Sequence, residues 1–264
     1  MTRRAPGWVL AVAGAVYLLL HLPVLVLVLF SFNASRYSVA WTGFTLEWYR
    51  RLAERTDLLR GLRASLIVGT ISTVVATVFG TLLALALARR RFPGRRALEG
   101  LLYLPVVTPE IVAGISLLSL FVLLRVPLGL ATITVAHIAF SVAFVAVVVR
   151  ARLEGMDGSL EEAAMILGAD ELTAFRTVTV PRLWPGIVAG ALLAFTMSFD
   201  DYVITSLVAG PGSSTLPVVV YGMVRRNVEP TVNAISTLIL LGTSLLIWLA
   251  TRLTRERPVS AARG

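Results

Sequence analysis

Six long apolar segments constrain the fold of this chain more than any other feature of its sequence. Each comes close to the roughly 20 residues that a helix needs to cross a bilayer. They lie near residues 8–32, 62–88, 101–124, 128–149, 184–207 and 231–251. Only 15% of the 264 residues are charged, whereas a soluble domain has about 25%. The sequence therefore predicts an all-α, polytopic membrane protein with about six transmembrane helices. We expect a single transmembrane domain over 1–264, with its core at about 62–251.

The basic residues, all of them arginine, indicate how the spans are oriented. Cytoplasmic loops of membrane proteins carry an excess of positive charge. Placing both termini in the cytoplasm puts most of the arginines there, including the acid-free cluster from Arg89 to Arg96. The first apolar segment is longer than the apolar region of a signal peptide, so we expect it to be a retained helix.

Two missing residue types exclude several kinds of chemistry. Without cysteine the chain forms no disulfide, thiolate metal site or iron–sulfur cluster. Without lysine it lacks the residue that a P-loop places on nucleotide phosphates. The arginines lie between apolar segments, so nucleic acid is not an expected partner. We expect no catalytic residue, metal site or cofactor in this chain, and ATP-driven work would need another polypeptide.

A loop of mixed polarity, residues 150–185, separates the fourth and fifth apolar segments. Ser159 followed by Glu161 and Glu162 predicts a helix start, since small polar residues cap helices and acids favour the positive end of the helix dipole. Gly168 is placed to end that helix. The loop is predicted to form a short helix, a turn and a second short helix on the cytoplasmic face.

Two loops have distinctive residues: prolines near the end of one and aromatic side chains along the other. Pro181 and Pro185 are expected to close the 150–185 loop. The loop 33–61 carries aromatic side chains that suit a membrane–water interface, namely Tyr37, Trp41, Phe44, Trp48 and Tyr49. A short interfacial helix there would present one face formed by Leu46, Tyr49, Leu52 and Ala53; the alternative is a linker lying on the surface.

The 150–185 loop carries a spaced motif: Glu162-Ala163-Ala164, then Gly168, then Val178-Thr179-Val180-Pro181. It resembles the cytoplasmic signature loop of bacterial ABC-importer permeases, with valine at the family's Ile and Leu positions. Two alanines on one turn let a helix seat closely in a partner groove, and Glu162 offers an anchoring charge. The resemblance implies that this coupling loop (150–185) docks on a separate ATPase subunit that binds ATP and Mg²⁺.

Further blocks of sequence resemble spermidine/putrescine permeases, especially their C-type subunit. These blocks include Ser31–Tyr37, Trp41–Phe44, Ser198–Tyr202, Gly210-Pro211, Leu216-Pro217, Tyr221 and Val232–Ala234. The resemblance implies the fold of a type I ABC importer permease in the bacterial inner membrane. It also implies three kinds of partner: two ATPase subunits, a homologous second permease and an extracytoplasmic substrate-binding protein.

Three acids lie within or at the edge of predicted spans: Glu110, Asp200 and Asp201. An ionisable group in the membrane is costly unless it is paired or hydrated, which makes each a candidate for function. Glu110 follows Pro105 and Pro109, which predict a broken helix of the kind that lines transporter sites. No lysine is present to neutralise these acids, so a cationic solute is expected to supply the charge.

Tyr202 and Tyr221 are added to the predicted substrate path as aromatic partners of a cation. A structural alternative stays open for the aspartates. Asp200 and Asp201 would then cap a break at the end of the fifth helix, or pair with Arg225 or Arg226. His21 and His137 are each predicted to be hydrogen-bonded interior residues.

Rival functions differ in what they leave unexplained. The same family could import another small organic solute or ferric iron. An ion-coupled secondary transporter would explain the acids but not the Glu-Ala-Ala loop. A purely structural membrane subunit would leave the intramembrane acids unexplained. The spacing of Gly186 and Gly190 predicts close helix packing.

Overall fold

The computed structural model describes residues 6–36, 40–89, 91–226 and 230–254. Within these ranges the chain is helical and contains no β-strand beyond an isolated bridge between Asn33 and Phe44. The helices are α1 (Gly7–Phe30), α2 (Glu47–Glu54), α3 (Thr56–Arg89), α4 (Arg95–Val107), α5 (Glu110–Leu123), α6 (Leu130–Glu154), α7 (Ser159–Ile166), α8 (Glu171–Ala174), α9 (Val180–Asp200), α10 (Val203–Val208), α11 (Leu216–Arg226) and α12 (Pro230–Thr254). A π-helical turn, Phe175–Thr179, joins α8 to α9.

Five helical segments of the described chain are long and apolar enough to cross a membrane, and the number rises to six if α4 and α5 form one bent span. The five are Gly7–Phe30, Thr56–Arg89, Leu130–Glu154, Glu171–Asp200 and Pro230–Leu249. The predicted all-α, polytopic architecture is confirmed. α11 was not predicted as a helix.

The third predicted span is broken, as the prolines indicated. α4 and α5 meet at an angle of 112°. Thr108, between them, has an extended backbone (φ −73°, ψ 130°). A proline disfavours the helical conformation of the residue before it, so Pro109 forces this break and then starts α5 at Glu110. Pro105, in contrast, is tolerated inside α4.

The fifth span differs from its prediction at both ends. A continuous helical segment begins at Glu171 and runs to Asp200, so Pro181 and Pro185 lie inside it and do not close the loop. The π-helical turn explains this correction: the Val180 N–H bonds the Phe175 carbonyl one residue further back than in an α-helix. The wider turn precedes Pro181 and accommodates a residue that cannot donate a backbone hydrogen bond.

The described residues of Arg60–Val218 and Leu245–Gly264 form one compact unit. In it α6 packs against α9. A Cβ added at Gly186 would lie 2.7 Å from Arg152 Cβ, and one at Gly190 would lie 3.3 Å from Val145 Cγ1. The predicted close packing at these two glycines is confirmed. In the same unit α5 packs against α10 around Phe121, Ile204 and Val208.

The described residues of Met1–Leu59 and Val219–Ser244 form the other unit. Asn33 is fully buried and organises the loop after α1: its amide donates to the Ala40 carbonyl (2.7 Å) and accepts from the Thr42 N–H (2.9 Å). The Trp48 indole donates to the Asn33 carbonyl (2.7 Å). The predicted short helix is present as α2, but its buried side chains are Trp48 and Leu52. Tyr37 lies outside the described residues, and the single-domain assignment stays a prediction.

Candidate functional site

The start of α7 is fixed by local hydrogen bonds. α7 begins at Ser159, whose N–H donates to the Asp157 carboxylate (3.0 Å), and this bond lowers the pKa of Asp157. Glu161 and Glu162 lie in the first turn, where the helix dipole favours negative charge. The predicted helix start is confirmed, but Ser159 is the first helical residue and does not cap the helix; Gly158 occupies the cap position.

The end of α7 depends on Gly168. This residue has φ of +98°, in the left-handed region that favours glycine. Its N–H donates to the Met165 carbonyl (3.0 Å), and the Ala169 N–H donates to the Ala164 carbonyl (3.0 Å). This pair of bonds is a Schellman motif, which satisfies the last carbonyls of a helix while the chain reverses. The predicted helix stop is confirmed, and α8 follows with Asp170 as its cap.

Glu161 ties α7 to two other elements. Its carboxylate accepts two hydrogen bonds from the Arg89 guanidinium, at 2.8 and 2.5 Å, and one from the Thr179 hydroxyl at 2.8 Å. Arg89 also lies over the Phe175 ring, with 5.2 Å between Cζ and the ring centroid. These bonds hold the pKa of Glu161 below its ordinary value, chiefly through Arg89. The Arg89 cluster (Arg89, Glu161, Phe175, Thr179) thus fastens α7 to the end of α3 and the base of α9.

The outer surface of α7 has a different character. Glu162 and Ala163 are exposed and Ala164 is half-buried. Beyond them, Ile166 and Leu167 are 86% and 89% exposed. Two large apolar side chains next to an exposed acid and small residues form a surface suited to burial against another protein.

Asp201 has a structural role at the break between α9 and α10. Its carboxylate accepts hydrogen bonds from the Thr205 N–H (2.7 Å), the Thr205 hydroxyl (2.7 Å) and the Ile204 N–H (3.3 Å). It therefore caps α10, as the structural alternative predicted. Asp200, one residue earlier, is exposed.

The other residues of the predicted substrate path are distributed over several elements. Glu110 is exposed and is the first residue of α5, which packs against α10. Tyr202 is half-buried beside Asp201. Tyr221 is exposed on α11, with the Arg225 guanidinium 5.2 Å from its ring centroid. The side chain of Arg226 lies outside the described part of the chain.

His137 lies on α6 and connects the Asp201 cap to α9 and α10. Nδ1 lies 2.6 Å from the Ser198 hydroxyl, and Nε2 lies 3.0 Å from the Thr205 hydroxyl and 3.3 Å from Asp201 Oδ2. Its predicted role as a buried, hydrogen-bonded residue is confirmed. For His21 the hydrogen bond is present, since Nδ1 donates to the Tyr17 carbonyl (2.8 Å), but the interior position is wrong, because His21 is exposed on α1. Across the described ranges, no group of three or more His, Cys, Asp or Glu residues is placed to hold a metal ion.

Several of these residues were missed by the sequence reasoning. Arg89 was counted only for orientation, and Glu161 only for the helix start. Ser198 was noted only within a resembling block, and Thr205 had no assigned role. The available signal was weak: a polar residue inside an apolar span needs a partner, but the sequence does not say which one.

Two of the apolar spans are broken next to carboxylates, and a compact polar segment with two short helices lies between two spans. Broken spans of this kind are a feature of membrane transport permeases. Residues 76–256 match the family described as binding-protein-dependent transport system inner membrane components. The chain belongs to this family of inner-membrane permeases.

Two curated relatives cover most of the chain. It is 42% identical over 239 residues to the spermidine/putrescine transport system permease protein PotC of Escherichia coli (strain K12), covering 90% of each chain. It is 40% identical over 244 residues to the putrescine transport system permease protein PotI of the same strain, covering 90% of this chain and 86% of PotI. Among solved structures, it matches a bacterial ABC transporter involved in the import of the acidic polysaccharide alginate, with a TM-score of 0.73, 15% identity and 94% of each chain covered. This last likeness concerns the fold alone.

Proposed function

We propose that this chain is the permease subunit of an ATP-driven importer of polyamines such as spermidine and putrescine. The observation that carries the proposal is the 42% identity to PotC across 90% of both chains. Exposed Glu110 and Asp200 agree with it, because carboxylates within apolar spans suit a flexible polycation.

The partners follow from the family and from the chain's composition. The family description implies a substrate-binding protein, and the fold is shared with a subunit of an ABC transporter. Since the chain has no lysine for a P-loop, two partner ATPase subunits would bind ATP and Mg²⁺ and hydrolyse the nucleotide. A homologous second permease would complete the pathway. This chain would hold no cofactor and would have no enzymatic activity, and both its termini would be cytoplasmic.

In this proposal α7 transmits the motion of the ATPases. Glu162, Ala163 and Ala164 would form the docked surface, together with the exposed Ile166 and Leu167. Gly168 sets the reversal after α7. The Arg89 cluster then passes the movement to α3 and α9, because Arg89 ends α3 and Thr179 directly precedes α9. Pro181 fixes the first turn of α9 beside this connection.

Solute passage would use the broken helices. Glu110 begins α5 after the 112° bend, and Asp200 ends α9 before the break. Asp201 is engaged as a helix cap, so Glu110 and Asp200 are the acids that would face the solute directly, with Tyr202 contributing a cation–π contact. The place of Tyr221 in the substrate path stays a prediction. Alternating access would then expose these groups to one side and the other.

The test is ATP-dependent uptake of labelled spermidine and putrescine into proteoliposomes that hold the assembled complex. We expect uptake to need ATP and the loaded binding protein, and to fall in Glu110→Gln and Asp200→Asn variants. Glu54→Gln, which neutralises an exposed acid on α2, is the matched control and should transport normally.

Other outcomes separate the rival functions. ATPase activity stimulated by a binding protein loaded with another organic solute or ferric iron, without polyamine uptake, would keep the permease and reject the solute. Uptake driven by an ion gradient in the absence of ATPase subunits would reject the ABC importer altogether.

A further inference from the structure

A largely buried polar cluster surrounds the break between α9 and α10. We call the residues His137, Ser72, Ser198, Asp201 and Thr205 the His137 cluster. His137, Ser72 and Thr205 have no exposed surface, and Ser198 is 4% exposed. The cluster connects α3, α6, α9 and α10 by hydrogen bonds. Polar groups at this depth persist only when their hydrogens and lone pairs are matched.

The hydrogen bonds of Ser72 and Ser198 indicate whether Nδ1 of His137 is a donor or an acceptor. The Ser72 hydroxyl lies 2.7 Å from the Val68 carbonyl, which can only accept, so Ser72 donates there. Ser72 and Ser198 hydroxyls are 3.0 Å apart, so a hydrogen bond between them needs the single hydrogen of Ser198. The Ser198 oxygen, 2.6 Å from His137 Nδ1, can then only accept. In this pattern of hydrogen bonds Nδ1 is the donor.

The hydrogen bonds of Thr205 and Asp201 indicate the same for Nε2 of His137. Oδ2 of Asp201 accepts from the Thr205 N–H and lies 2.7 Å from the Thr205 hydroxyl. An ionised carboxylate is acceptor-only, so the hydroxyl donates its hydrogen to Asp201. The Thr205 oxygen and the Asp201 carboxylate then both present lone pairs to His137 Nε2, at 3.0 and 3.3 Å. Nε2 also carries a hydrogen.

We propose that His137 is a doubly protonated imidazolium, paired with the Asp201 carboxylate, and that this buried ion pair is the positioning device of the α9–α10 break. A neutral imidazole would leave one contact without a hydrogen: either a ring nitrogen lone pair faces an oxygen lone pair, or Nδ1 takes the Ser198 hydrogen and the Ser72 and Ser198 oxygens face each other at 3.0 Å. The pair holds Asp201 on the N–H groups that start α10.

Within the proposed function, on which this step rests, the pair has a consequence for the solute path. Because His137 neutralises Asp201, a cationic solute meets the single charge of Asp200 at this break instead of two adjacent charges. His137 thus acts through Asp201 and is a positioning residue, with no contact to the solute itself.

The test uses the two histidines of the chain. The chain is labelled with ¹⁵N-histidine, assembled with unlabelled partners, and carries His21→Gln so that His137 is the only labelled ring. His21 is exposed, which makes it a safe position to change. We expect solid-state NMR at neutral pH to show both ring nitrogens protonated, each with a directly bonded hydrogen. One protonated and one unprotonated nitrogen would overturn the proposal.

A second variant tests the pairing. In Asp201→Asn the anion is removed, and we expect one ring nitrogen of His137 to lose its hydrogen; a ring that stays doubly protonated would overturn the ion pair. For transport, His137→Gln should lose polyamine uptake while His21→Gln keeps it, and full uptake by His137→Gln would overturn the positioning role. If no variant or wild-type complex takes up polyamines but both nitrogens are protonated, the proposed solute fails and the ion pair stands.

Discussion

Replacing Gly168 by alanine should loosen the end of α7 by an amount that the backbone geometry sets. A Cβ at this position would meet no atom within 4 Å, so steric overlap contributes nothing. The cost arises from φ of +98° alone. An L-residue with a side chain pays roughly 1–2 kcal/mol in the left-handed region. The free energy of opening the last turn of α7 should fall by that amount.

Hydrogen exchange of the assembled complex measures this change. The Gly168 and Ala169 N–H groups are bonded to the Met165 and Ala164 carbonyls, so their exchange reports the opening of the turn. A loss of about 1–2 kcal/mol makes their exchange roughly 5–30-fold faster. Gly155→Ala is the matched control, because Gly155 caps α6 with φ of −85° and its added Cβ would make only ordinary contacts, 3.7 Å from the Arg152 carbonyl.

Gly168 does not determine the end of α7 if the two variants behave alike. Equal exchange in Gly168→Ala and wild type would mean that the backbone at 168 is free to adopt another conformation without loss. Faster exchange of the α7 peptide in Gly155→Ala as well would mean that any added methyl group on this surface disturbs the segment. Either result would remove Gly168 as the determinant of the helix end.

Three further predictions concern the packing around α7 and α10. A double-mutant cycle of Glu161→Gln and Arg89→Gln, read by exchange of α7, should give a coupling energy of about 1–3 kcal/mol, since the pair is bidentate and only partly exposed. Because the pKa of Glu161 is lowered, its contribution to the stability of α7 is complete above the ordinary pKa of 4.5 and is lost as the pH falls through the lowered pKa. Hydrogen exchange of α7 measured across that pH range should show this loss of stability, and the Glu161→Gln variant should not show it. Gly210→Ala should lower the melting temperature of the complex by an overpacking cost of about 1–3 kcal/mol or more, because an added Cβ would overlap the Leu128 carbonyl; Gly100→Ala, with open space at the Cβ, should not.

Local chemistry made part of this fold predictable. The apolar runs gave the spans, Pro109 gave the break before α5, and Ser159 and Gly168 gave the limits of α7. Each of these follows from the conformational preference of one residue or from the period and length of one segment. No knowledge of distant contacts was needed for them.

The failures occurred where other residues override the preference of a single one. Pro181 did not close the loop, because the π-helical turn directly before it accommodates the missing backbone hydrogen bond. Trp48 was assigned to a membrane interface but is 6% exposed, since its indole reaches the Asn33 carbonyl. The aromatic pattern alone is the same for a residue at the lipid boundary and for one that closes a small core.

In two pairs of adjacent acids, Glu161–Glu162 and Asp200–Asp201, the sequence shows the charges and the structure shows which member of each pair has a partner. Glu161 and Asp201 are held by Arg89 and His137, whereas Glu162 and Asp200 are exposed. Neutralising Glu161 removes the bidentate partner of Arg89, and neutralising Asp201 leaves buried His137 unmatched, so each change should lower the melting temperature of the complex. Neutralising Glu162 or Asp200 should reduce ATP-dependent uptake and leave the melting temperature unchanged. Each acid is thus the control for its neighbour, and a Glu162→Gln or Asp200→Asn variant that melts early would refute this division between folding and transport.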